Sequence, residues 1–144
     1  MQNELMKKVS IIIILLIITG CKSNPKELIP FINGYWEISS VKQDNKIIKE
    51  YGISPIIDFW IINEDLTGFR KKVMPNLEGK IVVTQHSAPF IIKIEDNSLN
   101  IHYNEDDNMV DTIVKANENE LVISDSQGLI YSYRPYEKID LTDE

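Results

Sequence analysis

The sequence predicts an all-β domain: an antiparallel up-and-down β-barrel of about 8–10 strands, preceded by an apolar signal segment. Three observations predict it. Short apolar-rich runs recur every ~8–12 residues with polar turn clusters between them. Several runs alternate with period two: Phe90, Ile92 and Ile94 against Ile91, Lys93 and Glu95, and Leu99, Ile101 and Tyr103 against Asn100, His102 and Asn104. No run of useful length after Gly34 has helical period.

The N-terminus is of another kind. Met6-Lys7-Lys8 is followed by an apolar run from Val9 to Thr19 and then Gly20-Cys21, the one cysteine of the chain. Ile11 to Ile18 is eight consecutive Ile and Leu residues, too few for the ~20 that span a bilayer. They also lack the polar stripe of a surface helix. A basic start, a short apolar run and small residues before the cut describe a secretory signal peptide. Ile18-Thr19-Gly20-Cys21 resembles the lipobox of bacterial lipoproteins. That resemblance implies cleavage ahead of Cys21 and a diacylglyceryl group on its thiol. Met6 is an alternative start.

The chain has 144 residues, so about 124 remain beyond residue 20. That suits one domain with a core large enough to need no disulfide. The full chain carries 15 Lys and Arg against 22 Asp and Glu. Without Glu4, Lys7 and Lys8 the balance is 13 against 21, about −8. Such a surface repels phosphate backbones, which argues against nucleic acid as a partner, and it argues against broad adhesion to anionic lipid, which needs basic clusters. Lipid on Cys21 would do the anchoring, since two or more acyl chains give stable attachment.

The domain boundaries follow: 1–20 signal peptide, 21–33 tether with a short helical lid, 34–136 barrel, 137–144 polar tail. Lys22 to Lys26 is polar and carries a proline, as a tether does. Glu27 to Ile32 is apolar enough for a turn of helix folded over an open end; an exposed linker is the other reading. From Cys21 to Gly34 the chain reaches at most ~45 Å, which would keep the barrel close to its membrane.

The strands are expected at Gly34–Lys42, then Ile47–Tyr51 as a strand or an irregular excursion, then Ile56–Ile62 and Thr67–Val73 around Asn63-Glu64-Asp65-Leu66. Lys80–Gln85 and Phe90–Glu95 flank a turn at His86-Ser87-Ala88-Pro89. Leu99–Tyr103, Met109–Lys115, Glu120–Ser124 and Leu129–Arg134 complete the meander. Closing a meander removes its exposed edges.

Gly34-Tyr35-Trp36 resembles the Gly-X-Trp signature of lipocalins and of the shorter lipocalin-like lipoproteins of bacterial envelopes. Ile62 to Gly68 resembles a hairpin of such proteins, with Leu66 where Gly is usual. Tyr131-Ser132-Tyr133-Arg134 matches the strand in which these barrels lay an Arg across the Trp. The resemblance covers about Gly34 to Pro135 and implies a structural signature of Gly34, Trp36 and Arg134. Trp36 would plug the closed end, with the Arg134 guanidinium on its indole face.

Candidates for chemistry are few. His86 in a turn and His102 on an outer face lack the further ligands a zinc site needs. Glu105-Asp106-Asp107 lacks the EF-hand pattern, and no nucleophile elbow or phosphate loop is present. Neither a metal nor a cofactor is expected. Arg70-Lys71-Lys72, the one basic cluster, reads first as a solvated strand face or as gatekeepers against edge pairing; contact with phospholipid headgroups or a negatively charged partner is the other reading. The aromatics offer more: Trp60, Phe90, Tyr103, Tyr131 and Tyr133, with Ile92, are candidates to line an apolar pocket with a few hydroxyls. They would equally fill a core, because a barrel of about eight strands is just wide enough for either.

The leading functional expectation is a non-enzymatic, membrane-anchored envelope lipoprotein, in the outer membrane, whose barrel binds a small apolar or amphiphilic ligand. The alternative is a solid-core barrel that meets another envelope protein as an inhibitor or accessory subunit.

Overall fold

The computed structural model describes residues 1–4, 24–76, 78, 80–103 and 108–137. The apolar run of the signal segment, Cys21, Glu105-Asp106-Asp107 and most of the expected tail lie outside them. Among the described residues no helix is long and apolar enough to cross a membrane.

A 3-10 helix, Pro25–Phe31, precedes nine antiparallel strands: β1 Gly34–Gln43, β2 Lys46–Glu50, β3 Ile57–Ile62, β4 Thr67–Pro75, β5 Ile81–Glu95, β6 Ser98–Tyr103, β7 Val110–Asn117, β8 Glu120–Ser124 and β9 Ile130–Pro135. The order is β2-β1-β3-β4-β5-β6-β7-β8-β9, and β9 also pairs with β1. That last pairing closes eight strands into a barrel and leaves β2 as a side hairpin. β1 serves both: Gly34 to Trp36 pair with β3, and Ser40 to Gln43 pair with β2.

Local chemistry explains the hairpins. Asp44-Asn45 and Asp96-Asn97 all have φ between 50° and 62°, the mirror-image turn that matches strand twist and that Asn and Asp tolerate. Leu66 is less suited to its φ of 65°. It is held there because Thr67 N–H and Oγ1–H donate to Asp65 Oδ1 at 3.0 and 2.6 Å and Leu66 N–H donates to Asn63 O at 3.0 Å.

One expectation is corrected. Lys80–Gln85 and Phe90–Glu95 are not two strands around a turn; Ile81–Glu95 is one strand of 15 residues. Lys71 pairs with Ser87 and Val73 with Val83, so a bulge absorbs the extra residues. Pro89 fits because Ile92 N–H points to β4, where it donates to Leu66 O at 2.8 Å. By alternation the nitrogen of Pro89 faces β6, just past the last pair, Phe90 with Tyr103, where a missing donor breaks no ladder bond. Ile47–Tyr51 resolves as strand β2.

The core fills the closed half. Ile32, Trp36, Trp60, Ile62, Phe90, Ile92, Leu99, Ile101, Ile113, Leu121 and Ile123 are buried there with Ala116, Tyr103 and Tyr133. The 3-10 helix packs on β6 and β7, and Trp36 Nε1 donates to Ile32 O at 2.8 Å. Gly68 lets the Phe90 ring lie against the sheet: a Cβ there would stand 2.7 Å from that ring and collide with Ile61 O.

A second correction concerns Arg134. It does not lie across Trp36. Tyr133 faces inward, so Arg134 faces outward, opposite Glu37. Its Nε donates to Glu37 Oε2 at 2.9 Å and Nη2 to Gly52 O at 2.7 Å. Glu37 also accepts Ser54 N–H at 2.6 Å. Arg134 therefore clamps the segment between β2 and β3 to the barrel wall.

Candidate functional site

The turns that begin β4, β6 and β8 lie at the helix-capped end, so the other ends of these strands form the mouth. β3 and β4 put Asp58, Trp60, Arg70 and Lys72 on the inner face, because Asp58 pairs with Lys72 and Trp60 with Arg70. β5 adds Ala88 opposite Arg70. β6 and β7 add Tyr103 and Asp111, and β9 adds Tyr131 and Tyr133.

These groups bond to one another. Arg70 Nε and Nη2 donate to Asp58 Oδ1 and Oδ2 at 3.0 and 3.1 Å, and Nη2 reaches Tyr133 Oη at 3.1 Å. Lys72 Nζ stands 2.7 Å from Asp58 Oδ1 and 2.9 Å from Oδ2. A carboxylate as buried as Asp58 is tolerable only with such partners. The Arg70 guanidinium sits 5.0 Å from the Trp60 ring centre, an attraction of ~2 kcal/mol when desolvated. Across the mouth Tyr103 Oη donates to Asp111 Oδ2 at 2.8 Å, and Tyr131 Oη to Asp125 Oδ2 at 3.1 Å.

Burial works against the charge of Arg70, but Tyr133 and Asp58 beside it more than compensate, so Arg70 stays protonated at any ordinary pH. Burial raises the Tyr103 hydroxyl, and it pushes Tyr133 up to about 12 although Arg70 pulls the other way. Burial also raises the Asp111 carboxyl above the usual range, opposed by the Tyr103 bond and by Arg70.

Above this network is a cavity of about 410 Å³ lined by Arg70, Lys72, His86, Ser87, Ala88, Tyr103, Met109 and Asp111. Its size falls in the range of small-molecule sites. Of the residues expected to line a pocket, Tyr103 does so. Trp60, Phe90 and Ile92 lie below it in the packed core, where Phe90 contacts Trp60 at 5.5 Å and Tyr103 at 6.1 Å between ring centres. Tyr133 braces Arg70, and Tyr131 lies half-buried on β9. Among the described residues, Trp60 Nε1 is the buried side-chain polar atom without a hydrogen-bond partner.

The Arg70-Lys71-Lys72 reading is corrected: alternation splits the cluster. Arg70 and Lys72 turn inward onto Asp58, while Lys71 turns outward, its Nζ 4.8 Å from the Phe69 ring centre. His86 stands in β5 at the cavity wall rather than in a turn. His102 is on the outer face, its Nε2 3.0 Å from Glu95 Oε2. Asp58 and Asp111 are the residues that sequence reasoning missed, and Arg70 the one it placed on the wrong face. The signal available was Asp58 inside an otherwise apolar strand.

A family model described as a lipocalin-like domain matches residues 32–123. No curated protein sequence matches the chain. A crystal structure of an uncharacterized protein from Bacteroides eggerthii is similar at 11% identity and a TM-score of 0.44, over 72% of this chain and 98% of that one. The family match takes in well over half of the sequence, including Trp36 and seven of the eight closing strands; the chain belongs to the lipocalin-like domain family.

Proposed function

We propose that this protein is a lipid-anchored lipoprotein of the bacterial envelope that holds a small amphiphilic ligand at the mouth of its barrel. The observation that carries the binding reading is the cavity of about 410 Å³, with cationic groups on one wall and Ala88 and Met109 beside them. Lipocalin-like barrels suggest ligand binding in general. The filled lower core limits the ligand to the upper half, so a shallow site is expected rather than a deep calyx. The anchoring part rests on the likeness of Ile18-Thr19-Gly20-Cys21 to a lipobox, and the outer membrane is part of the proposal. The protein is read as a binder rather than a catalyst, since the polar groups of the mouth are engaged with one another.

The test is the native mass of the full chain purified from its own host. A small-molecule mass that is lost on denaturation supports the reading and identifies the ligand. A bare chain supports the alternative, a module that meets another envelope protein. That alternative draws on the outer aromatic cluster of Tyr35, Phe59 and Phe69, with ring centres 4.6 and 6.2 Å apart. The same spectrum checks the anchor: a mature chain starting at Cys21 with acyl mass is expected, and an unmodified cysteine would remove it.

A further inference from the structure

The cavity has two unlike sides. Arg70, Lys72 and His86 line it from β4 and β5. Asp58, which both Arg70 and Lys72 contact, is not part of the lining and its side chain is 3% exposed. The cations thus stand at the surface of the cavity and their shared carboxylate beneath it. Arg70 and Lys72 are 22% and 50% exposed, and Arg70 Nη1 takes part in none of the bonds to Asp58 and Tyr133. On the far wall the Asp111 carboxyl is occupied by the Tyr103 hydroxyl. The rest of the lining is mainly Ala88, Met109 and the Tyr103 ring.

We propose that the mouth selects an amphiphile with an anionic oxygen head group, a carboxylate or a phosphate. The head group sits on Arg70 and Lys72 with His86 as an additional donor, and the apolar part lies along Ala88, Met109 and Tyr103. This rests on the ligand-binding reading above and adds the chemistry of the head. A planar guanidinium favours fork-like contact with either group. Asp58 acts as a positioning residue, holding both cations at the cavity surface.

The full chain in phosphatidylcholine nanodiscs is titrated with octanoate, octyl phosphate, octan-1-ol and octylamine, with empty nanodiscs as the blank. Tryptophan fluorescence reports binding through Trp60, which lies beneath Arg70. Octanoate or octyl phosphate is expected to bind at least about tenfold tighter than octan-1-ol, as one charge-assisted hydrogen bond supplies. Which of the two anions leads identifies the head group. Lys72→Gln and His86→Gln, both at exposed positions, are expected to shrink that preference by weakening the two anions more than octan-1-ol. Equal binding of anion and alcohol overturns the head-group proposal and leaves the binding reading standing. Tightest binding of octylamine overturns it in favour of Asp111. Binding of none of the four overturns both.

Discussion

Asp58 holds the mouth together, because Arg70 and Lys72 both depend on its carboxylate. Replacing it by Asn leaves Arg70 partly buried without its counter-charge, which should cost about 3 kcal/mol in urea unfolding. Adding Arg70→Met should recover much of that loss, because the stranded charge is then gone. Asp111 depends on pH. Its native carboxyl is raised above 3.8 by burial, so the folded state binds its proton more tightly than the unfolded chain does. The stability it contributes is present at low pH and is lost as pH rises from 3.8 through the raised value. Asp111→Asn keeps an acceptor for Tyr103 and cannot ionise, so its advantage over the parent should grow across that window in unfolding curves recorded at successive pH values. Gly68 is fixed by contact with Phe90 and Ile61; Gly68→Ala should cost about 3 kcal/mol. At this scale the sequence was partly readable. Period two correctly grouped Phe90 with Ile92 and Leu99 with Ile101 and Tyr103. It could not show that Arg70 rather than Phe69 faces inward, since that depends on the register with Trp60.

Among the elements, the hairpins were the most legible, because Asp-Asn turns carry their own geometry. Leu66 shows where a local rule was overridden. It sits at a φ of 65° and packs partly against the core, so side-chain burial offsets backbone strain. Leu66→Gly and Leu66→Ala both lose that packing, but only Gly relieves the strain. The Gly variant should therefore be more stable than the Ala variant by about 1 kcal/mol, the reverse of their usual order in strands. By sequence β5 looks like two strands, because Pro89 and His86 resemble turn residues. Their place in one strand depends on where β6 stops and β4 bulges, and neither is written in β5 itself.

At the scale of the molecule, closure of β9 on β1 separates two ends of different character. The 3-10 helix and the start of β1 cap the closed end, and the cavity opens at the other. If Cys21 carries lipid, the mouth faces away from the bilayer. A fluorophore at Glu118→Cys, in the turn at the closed end, should then be quenched more strongly by headgroup quenchers than one at Gln127→Cys, at the mouth end; equal quenching would rule out that orientation. The sequence alone determined the all-β class and the positions of most strands. These follow from alternation and turn propensity, which act over a few residues. The tertiary structure decided that Arg134 meets Glu37 across 97 residues, that Arg70 meets Asp58 and Tyr133, and that the lower barrel is filled while the mouth stays open. Those outcomes depend on register between strands brought together only by closure, and on side chains from several strands competing for one interior volume.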